Sequence, residues 1–240
     1  MQILKGIKMD FHSKVLITGG DGFTGIYLAN LLNSYGYKCH NLDCNILDKN
    51  HIKDSITAIE PDYVFHLAAI SFVGEKDIGL IYNVNVVGSH NLLECLSVMK
   101  KKPKKVILAS SGTVYGSNGK SLNKESDIPS PINHYGCSKL SMEHLAKNFF
   151  DDLPIIIVRP FNYTGINHSE NFIIPKIVKA FLNKQDHIEL GNVNISREFN
   201  DIRDIINIGS ELVFRFFNFK QFNSIAINCL HEFNYQAISI

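Results

Sequence analysis

Two rhythms of apolar residues alternate along this chain. Short apolar runs, too brief for a buried helix, predict strands at Val15–Thr18, Tyr37–Asp43, Tyr63–Leu67, Lys105–Ser110 and Pro154–Arg159. Between them apolar positions return every three or four residues. That spacing predicts a helix opening after Gly25 and stopped by Gly36, then helices over Asn50–Ile59, Ile78–Met99 and His134–Phe150. Such repetition of strand and helix predicts an α/β fold, a Rossmann-type doubly wound parallel sheet covered on both faces. From Phe161 the rhythm changes. Loops lengthen, the strand-like stretches His187–Leu190 and Ile195–Phe199 are short, and one strand, at Ser224–Cys229, is expected to return to the main sheet.

The first strand runs into three glycines spaced three apart, Gly19, Gly22 and Gly25, within VLITGGDGFTG. A strand, a glycine turn and a helix N-terminus make a site for a dinucleotide pyrophosphate. Gly19 permits the tight turn, Gly22 lets the backbone approach the phosphates, and Gly25 lets helix and strand pack closely. The amides and dipole of the helix then favour the anion. The chain accordingly divides into a dinucleotide-binding unit, 1–160, and a smaller substrate-facing lobe, 161–240, interleaved with the main sheet.

Composition narrows the classes. With 240 residues, 45% of them hydrophobic, and a formal charge of +1, the chain can bury a proper core and asks for neither nucleic acid nor a membrane surface. The basic run Lys100–Lys105 ends a helical pattern, where lysines offset the helix dipole. No apolar run reaches the roughly 18 residues of a membrane span. Five cysteines without a paired spacing predict reduced thiols in a cytoplasm and no metal site. His66, inside a strand pattern, reads as a packed histidine rather than a ligand. Met1–Ser13 reads as an extension before the first strand, with Met9 as an alternative start.

Tyr135 and Lys139 stand four apart at the start of a predicted helix, on one face. A neighbouring ammonium lowers a phenol from its ordinary pKa of about 10 toward a value useful for proton transfer. The stretch Ser110–Gly116 follows a strand, and the carboxyl end of such a strand is where an open α/β sheet places its ligands. A serine hydroxyl there can hold a substrate oxygen beside the tyrosine.

These motifs resemble those of the extended short-chain dehydrogenase/reductases, the NAD(P)-dependent nucleotide-sugar epimerases, dehydratases and reductases. They appear in order: TGGDGFTG at 18–25, HLAA at 66–69, NVNVVG at 83–88, SSGTVYG at 110–116, YGCSK at 135–139, RPFN at 159–162 and REFNDIRD at 197–204. Within the family the chain is most similar to the GDP-4-keto-6-deoxy-mannose reductases, through RPFNYTG, the FxxPKIV helix and LGNVNISREFNDIRD. The resemblance implies Tyr135 as acid/base, Lys139 as the group that holds the nicotinamide ribose and tunes Tyr135, and Ser111 as the partner of the sugar O4. It implies Asn162 and Arg197 at the nucleotide-sugar diphosphate, where an arginine fork suits phosphate oxygens. For the cofactor, NAD(H) or NADP(H), it implies contacts from Gly19, Gly22, Phe23, Thr24, Gly25, Asp43, Asn45, Ile46, Leu67, Ala68, Ala69 and Asn85, together with Tyr135 and Lys139. Asp43, read at the end of the second strand, favours NAD(H) by accepting from the adenine ribose and repelling a 2′-phosphate.

Two departures shape the expectation. The family's dehydratases carry a glutamate two residues before the tyrosine of the VYG motif, and Thr113 stands there, so dehydration is not expected. The family also continues for several dozen residues past the equivalent of Asn228, so a truncated substrate lobe is expected. The reading is a reductase of the C4 ketone of a nucleotide-linked 6-deoxyhexose, cytoplasmic and homodimeric. A nucleotide-sugar 4-epimerase is its alternative, and an inactive, truncated dinucleotide-binding protein is the alternative of another class.

Overall fold

The computed structural model describes residues 13–117, 122–191, 196–214 and 238–239. Its centre is five parallel strands, β1 (Lys14–Thr18), β2 (Lys38–Asn41), β3 (Tyr63–His66), β4 (Lys105–Ala109) and β5 (Ile155–Val158), in the order β2-β1-β3-β4-β5. Helices α1 (Phe23–Ser34), α2 (Lys49–Ile59), α3 (Ile78–Tyr82), α4 (Ser89–Ser97) and α5 (His134–Ala146) connect them. The strand order reverses between β1 and β3, the place where a doubly wound sheet opens a crevice at its carboxyl edge. β2 is shorter than its apolar run. Its pairing with β1 ends at Ile17 opposite Asn41, which leaves Asp43 beyond the strand.

Alternation along the strands loads both faces. Val15, Ile17, Phe65, Ile107 and Ile156 face Leu28 and Leu32 of α1, whereas Leu16, Val64, Val106 and Leu108 face Ile52, Ile56, Leu92, Leu96 and Met142. Each such side chain, buried fully, contributes about 1.5–3 kcal/mol. Acceptor side chains cap the connecting helices: Asp48 takes His51 N–H, Asp77 takes Leu80 N–H and Asn133 takes Gly136 N–H.

The rest of the chain builds short pieces: β6 (Tyr163–Thr164), α6 (Ile173–Leu182), β7 (Ser196–Arg197), β8 (Asn200–Asp201), α7 (Ile202–Phe214) and β9 (Ile238–Ser239). β6 pairs in parallel with β8, and β7 pairs antiparallel with β9. His187–Leu190 forms no strand, because it folds back along α6, whose Lys176 ammonium takes the Glu189 carbonyl (2.6 Å). Ser224–Cys229 lies outside the described residues. What does return to the sheet layer is a helix, since Ile202, Ile205 and Ile206 of α7 join the cluster around α1.

The long helix expected over Ile78–Met99 is α3, a π-helical turn at Asn83–Gly88 and α4, ending at Ser97. A π turn adds one residue to the helical circuit. Here it carries Asn85 into the interior and lays Gly88 against Ile46, whose Cγ2 would stand 2.5 Å from a β-carbon at position 88. Gly88→Ala is expected to destabilise the fold by about 1–3 kcal/mol, the usual cost of overpacking. Ile46→Ala in the same chain should recover part of that loss. Urea unfolding of the four members of this cycle checks it, and additive losses would show that the two positions do not press on each other.

Candidate functional site

The loops that follow β1, β3, β4 and β5 meet at the carboxyl edge. After β1 the chain turns at Gly19 with φ +69°, a left-handed conformation, and a β-carbon there would stand 2.9 Å from the Ala68 backbone. Gly22 N–H donates to Gly19 O (3.1 Å), and Gly25 sits so close that a β-carbon would meet Gly19 O at 2.4 Å. Unlike α2, α3 and α5, α1 has a glycine N-cap, Gly22, and no side chain caps it, so its first-turn amides face outward for a ligand anion. Asn41 braces the turn: its Oδ1 accepts from Gly20 N–H and its amide donates to Asp21, each at 2.9 Å. The position at the end of β2 is therefore Asn41, a correction to the reading that put Asp43 there; exposed Asp43 follows two residues later.

The remaining cradle candidates line the same edge. Leu67 N–H and Ala68 N–H donate to the backbone and hydroxyl oxygens of Thr18 (3.1 and 3.2 Å), holding Leu67–Ala69 beside the glycine turn. Ile46 is buried, and Asn45 accepts from Leu47 N–H in its own turn. Asn85 is fully buried, accepting from Ile70 N–H and donating to Ile70 O and Ser138 Oγ. Phe23 stacks on His168 (4.3 Å), His168 on Phe172 (4.2 Å), and Thr24 hydrogen-bonds Tyr163 (2.9 Å). These contacts fasten the glycine turn to the segment after β5.

Ser111, Tyr135 and Lys139 come together across β4 and α5. Ser111 Oγ accepts from Thr113 N–H (3.2 Å) and Thr113 Oγ1 (2.9 Å), and the Ser111 hydroxyl pairs with the Tyr135 phenol. Burial pushes the Tyr135 phenol well above its ordinary range, with Tyr163 acting the same way and Ser111 opposing. The Lys139 ammonium donates to Ala109 O (2.7 Å) at the end of β4. Burial lowers Lys139 itself to about 8, against the opposing pull of Glu143. Tyr135 is thus a proton donor that stays loaded at neutral pH.

The lobe candidates are less gathered. Asn162 is exposed, its carbonyl accepting from Asn200 N–H (2.9 Å), and Arg197 is exposed on β7. Sequence reasoning missed Ser110, Tyr115, Glu143 and Arg159, which form a buried polar cluster beneath Ser111 and Lys139. One signal was available: Glu143 stands one helical turn after Lys139, on the same face.

The glycine cradle, the Ser111–Tyr135 pair and the buried Lys139 all belong to this edge of the sheet. The model of the NAD dependent epimerase/dehydratase family matches residues 15–213. The chain belongs to this family. It is 34% identical over 206 residues to a GDP-6-deoxy-D-talose 4-dehydrogenase of Aggregatibacter actinomycetemcomitans, covering 83% of this chain and 70% of that one. It is 31% identical over 213 residues to a UDP-glucose 4-epimerase of Mycoplasma genitalium, covering 82% of this chain and 61% of the relative. The solved UDP-glucuronic acid 4-epimerase of Bacillus cereus, in complex with NAD, is similar with a TM-score of 0.79 and 25% identity, covering 89% and 76% of the two chains.

Like its family, this protein is an NAD(P)-dependent enzyme, and its residues fit that cofactor: the glycine turn leaves no room for side chains, and the α1 amides lack a side-chain acceptor. Among the described residues no cluster suits a metal ion and no helix is long and apolar enough to cross a membrane. Thr113 occupies the dehydratase glutamate position and spends its hydroxyl on Ser111.

The histidine of the family's HLAA stretch is structural here. His66 is buried between Thr18 Oγ1 at Nδ1 and Ser89 Oγ at Nε2, each at 2.7 Å. Ser89 gives its one proton to Asn85 O (2.7 Å), so it must accept from His66 Nε2–H, and Nδ1 then accepts from Thr18. The ring is neutral, held down to about 3 from 6.5 by burial and then by Lys139. The unfolded chain binds this proton below about 6.5 and the folded chain only near 3, so His66 favours folding above 6.5 and the gain is lost as pH falls. Stability should drop by about 1.4 kcal/mol per pH unit from this group across that window. Urea unfolding between pH 7 and 4 is expected to show a slope shallower by one proton in His66→Gln; equal slopes would place the charge change elsewhere.

Proposed function

We propose that this protein reduces the C4 ketone of a nucleotide-linked 6-deoxyhexose, of the GDP-4-keto-6-deoxy-mannose type, using NADH or NADPH. The observation that carries the reading is the Ser111–Tyr135 pair at the carboxyl edge of the sheet. A bound, reduced nicotinamide supplies the hydride. As charge develops on O4, Tyr135 gives it the phenolic proton. Ser111, whose oxygen accepts from Thr113 N–H and Oγ1, turns the proton it directs at Tyr135 toward the same oxygen. Both interactions strengthen toward the transition state, which is what makes them catalytic. Lys139 holds the nicotinamide ribose, and Asn162 and Arg197 meet the diphosphate. The name of the Aggregatibacter relative, a 4-dehydrogenase of a GDP-6-deoxyhexose, supports oxidation and reduction at this carbon.

A second reading, a nucleotide-sugar 4-epimerase, is favoured by the names of the Mycoplasma and Bacillus relatives. It uses the same residues but retains its NAD through the cycle. Purified protein carrying tightly bound NAD supports the epimerase. Consumption of NADH with GDP-4-keto-6-deoxy-mannose, and an NMR-identified 6-deoxyhexose product, supports the reductase. Binding of dinucleotide without turnover on either substrate class would overturn both.

A second copy completes the proposal, since Ile78, Leu80 and Val87 are exposed along α3 and the π turn. Tyr135→Phe is expected to lower turnover by roughly 10²–10⁴, the usual contribution of general acid catalysis, while dinucleotide affinity stays within a few fold. Fluorescence titration and steady-state rates check the two halves separately, and near-normal turnover would remove Tyr135 from the chemistry.

A further inference from the structure

The loop that carries Ser111 is gripped by three consecutive residues that follow β5. Arg159 Nη1 donates to the Tyr115 hydroxyl (2.8 Å), and its guanidinium lies 5.1 Å over the Tyr115 ring. The Pro160 carbonyl accepts from Gly112 N–H (2.8 Å). Phe161 stacks on Tyr115 with ring centres 6.2 Å apart, and a β-carbon at Gly112 would stand 2.8 Å from the Phe161 ring. The rest of the Arg159 fork reaches α5. It meets the Glu143 carboxylate twice, Nε to Oε1 at 2.9 Å and Nη2 to Oε2 at 2.6 Å, and Ser110 Oγ donates to the same Oε1. Ser110, Tyr115, Glu143 and Arg159 are each at most 7% exposed.

We propose that Arg159 is a positioning residue for Ser111. One guanidinium holds both ends of the loop from Ser110 to Tyr115. It takes the far end directly, through the Tyr115 hydroxyl, and the near end through the carboxylate that Ser110 also engages. Between these anchors the chain makes a single 3-10 turn, Gly112–Tyr115, and Ser111 is its cap. The Ser111 Oγ accepts from Thr113 N–H (3.2 Å) and Thr113 Oγ1 (2.9 Å), so its place follows from that of the turn. Fixing the two ends therefore fixes the serine hydroxyl. The task needs a planar fork with donors on both sides, which arginine has and lysine lacks. The part played in catalysis rests on the reductase reading above, whereas the hold on the loop does not.

The test uses the full chain. Ser110→Ala and Tyr115→Phe each release one end of the loop and leave the Arg159–Glu143 pair closed, so neither strands a buried charge. Arg159→Lys keeps the charge but cannot span the carboxylate and the phenol. Amide exchange, read by NMR, is expected to quicken roughly tenfold at Gly112 and Thr113 in each variant, as the loss of a hydrogen bond to a charged group allows. The Leu67 and Ala68 amides, held by Thr18, should keep their rates. Turnover should fall about tenfold with dinucleotide affinity within a few fold, and neither Ser110→Ala nor Tyr115→Phe should cost further turnover in a Ser111→Ala background. Exchange that stays unchanged or rises equally at all these amides overturns the proposal. So do losses of turnover that add to that of Ser111→Ala, since an arginine that only supports the fold lowers activity whether or not the serine is there. Where Arg159→Lys does not fold, the other two variants carry both readouts. Local exchange that quickens in a chain without turnover on any nucleotide sugar supports the hold on the loop and overturns the reductase reading instead.

Discussion

A parallel sheet buried on both faces leaves its polar chemistry one place to go, the edge where the strands end. Here the strand interiors are filled by Val, Leu, Ile and Phe on both sides, so any group that must meet solvent or ligand sits in the loops after β1, β3, β4 and β5. Those four loops hold the glycine turn, Leu67–Ala69, Ser110–Gly116 and Asn162. The reversal of strand order beside β1 opens the crevice among them, and the missing side-chain cap on α1 leaves that crevice electropositive.

The same burial that stabilises the sheet sets the protonation states at its edge. Desolvation raises the Tyr135 phenol and lowers Lys139 and His66, each toward its neutral form. Desolvation holds the phenol, already protonated at neutral pH at its ordinary value, more firmly in that form. For the lysine it works against the charge, and the nearby Glu143 carboxylate offsets it. His66 stays neutral with both nitrogens engaged, so it joins β1, β3 and the π turn without adding charge beside Lys139. Every member of these networks has a named partner, which is the condition under which buried polar groups add order rather than cost.

Much of this was legible from the chain because the decisive signals are local. A strand is a short apolar run, a glycine turn is three glycines at fixed spacing, and Tyr135 and Lys139 are a helical turn apart. What escaped was set by contacts distant in sequence. Nothing near Lys139 announces that its ammonium reaches the Ala109 carbonyl, thirty residues away. Ser110, Tyr115 and Arg159 look like unremarkable loop and strand-end residues until folding brings them to Glu143. The π turn was invisible because its periodicity departs from an ordinary helix by a single residue, and the end of β2 moved to Asn41 because pairing with β1, not hydropathy, decides where a strand stops.

The resemblance to the family's dehydratases stops at one position near Tyr115. Dehydration needs a base to take a proton from carbon, and a carboxylate two residues before Tyr115 would supply it. Thr113 has no such basicity near neutral pH and directs its hydroxyl to Ser111 instead. Replacing a base by a donor does more than delete a reaction. It fills the acceptor side of the serine oxygen, which leaves the serine proton to Tyr135. On the proposed reading the Ser111–Tyr135 pair is a two-donor grip on a developing alkoxide, and hydride transfer to or from C4 is the chemistry that such a grip accelerates.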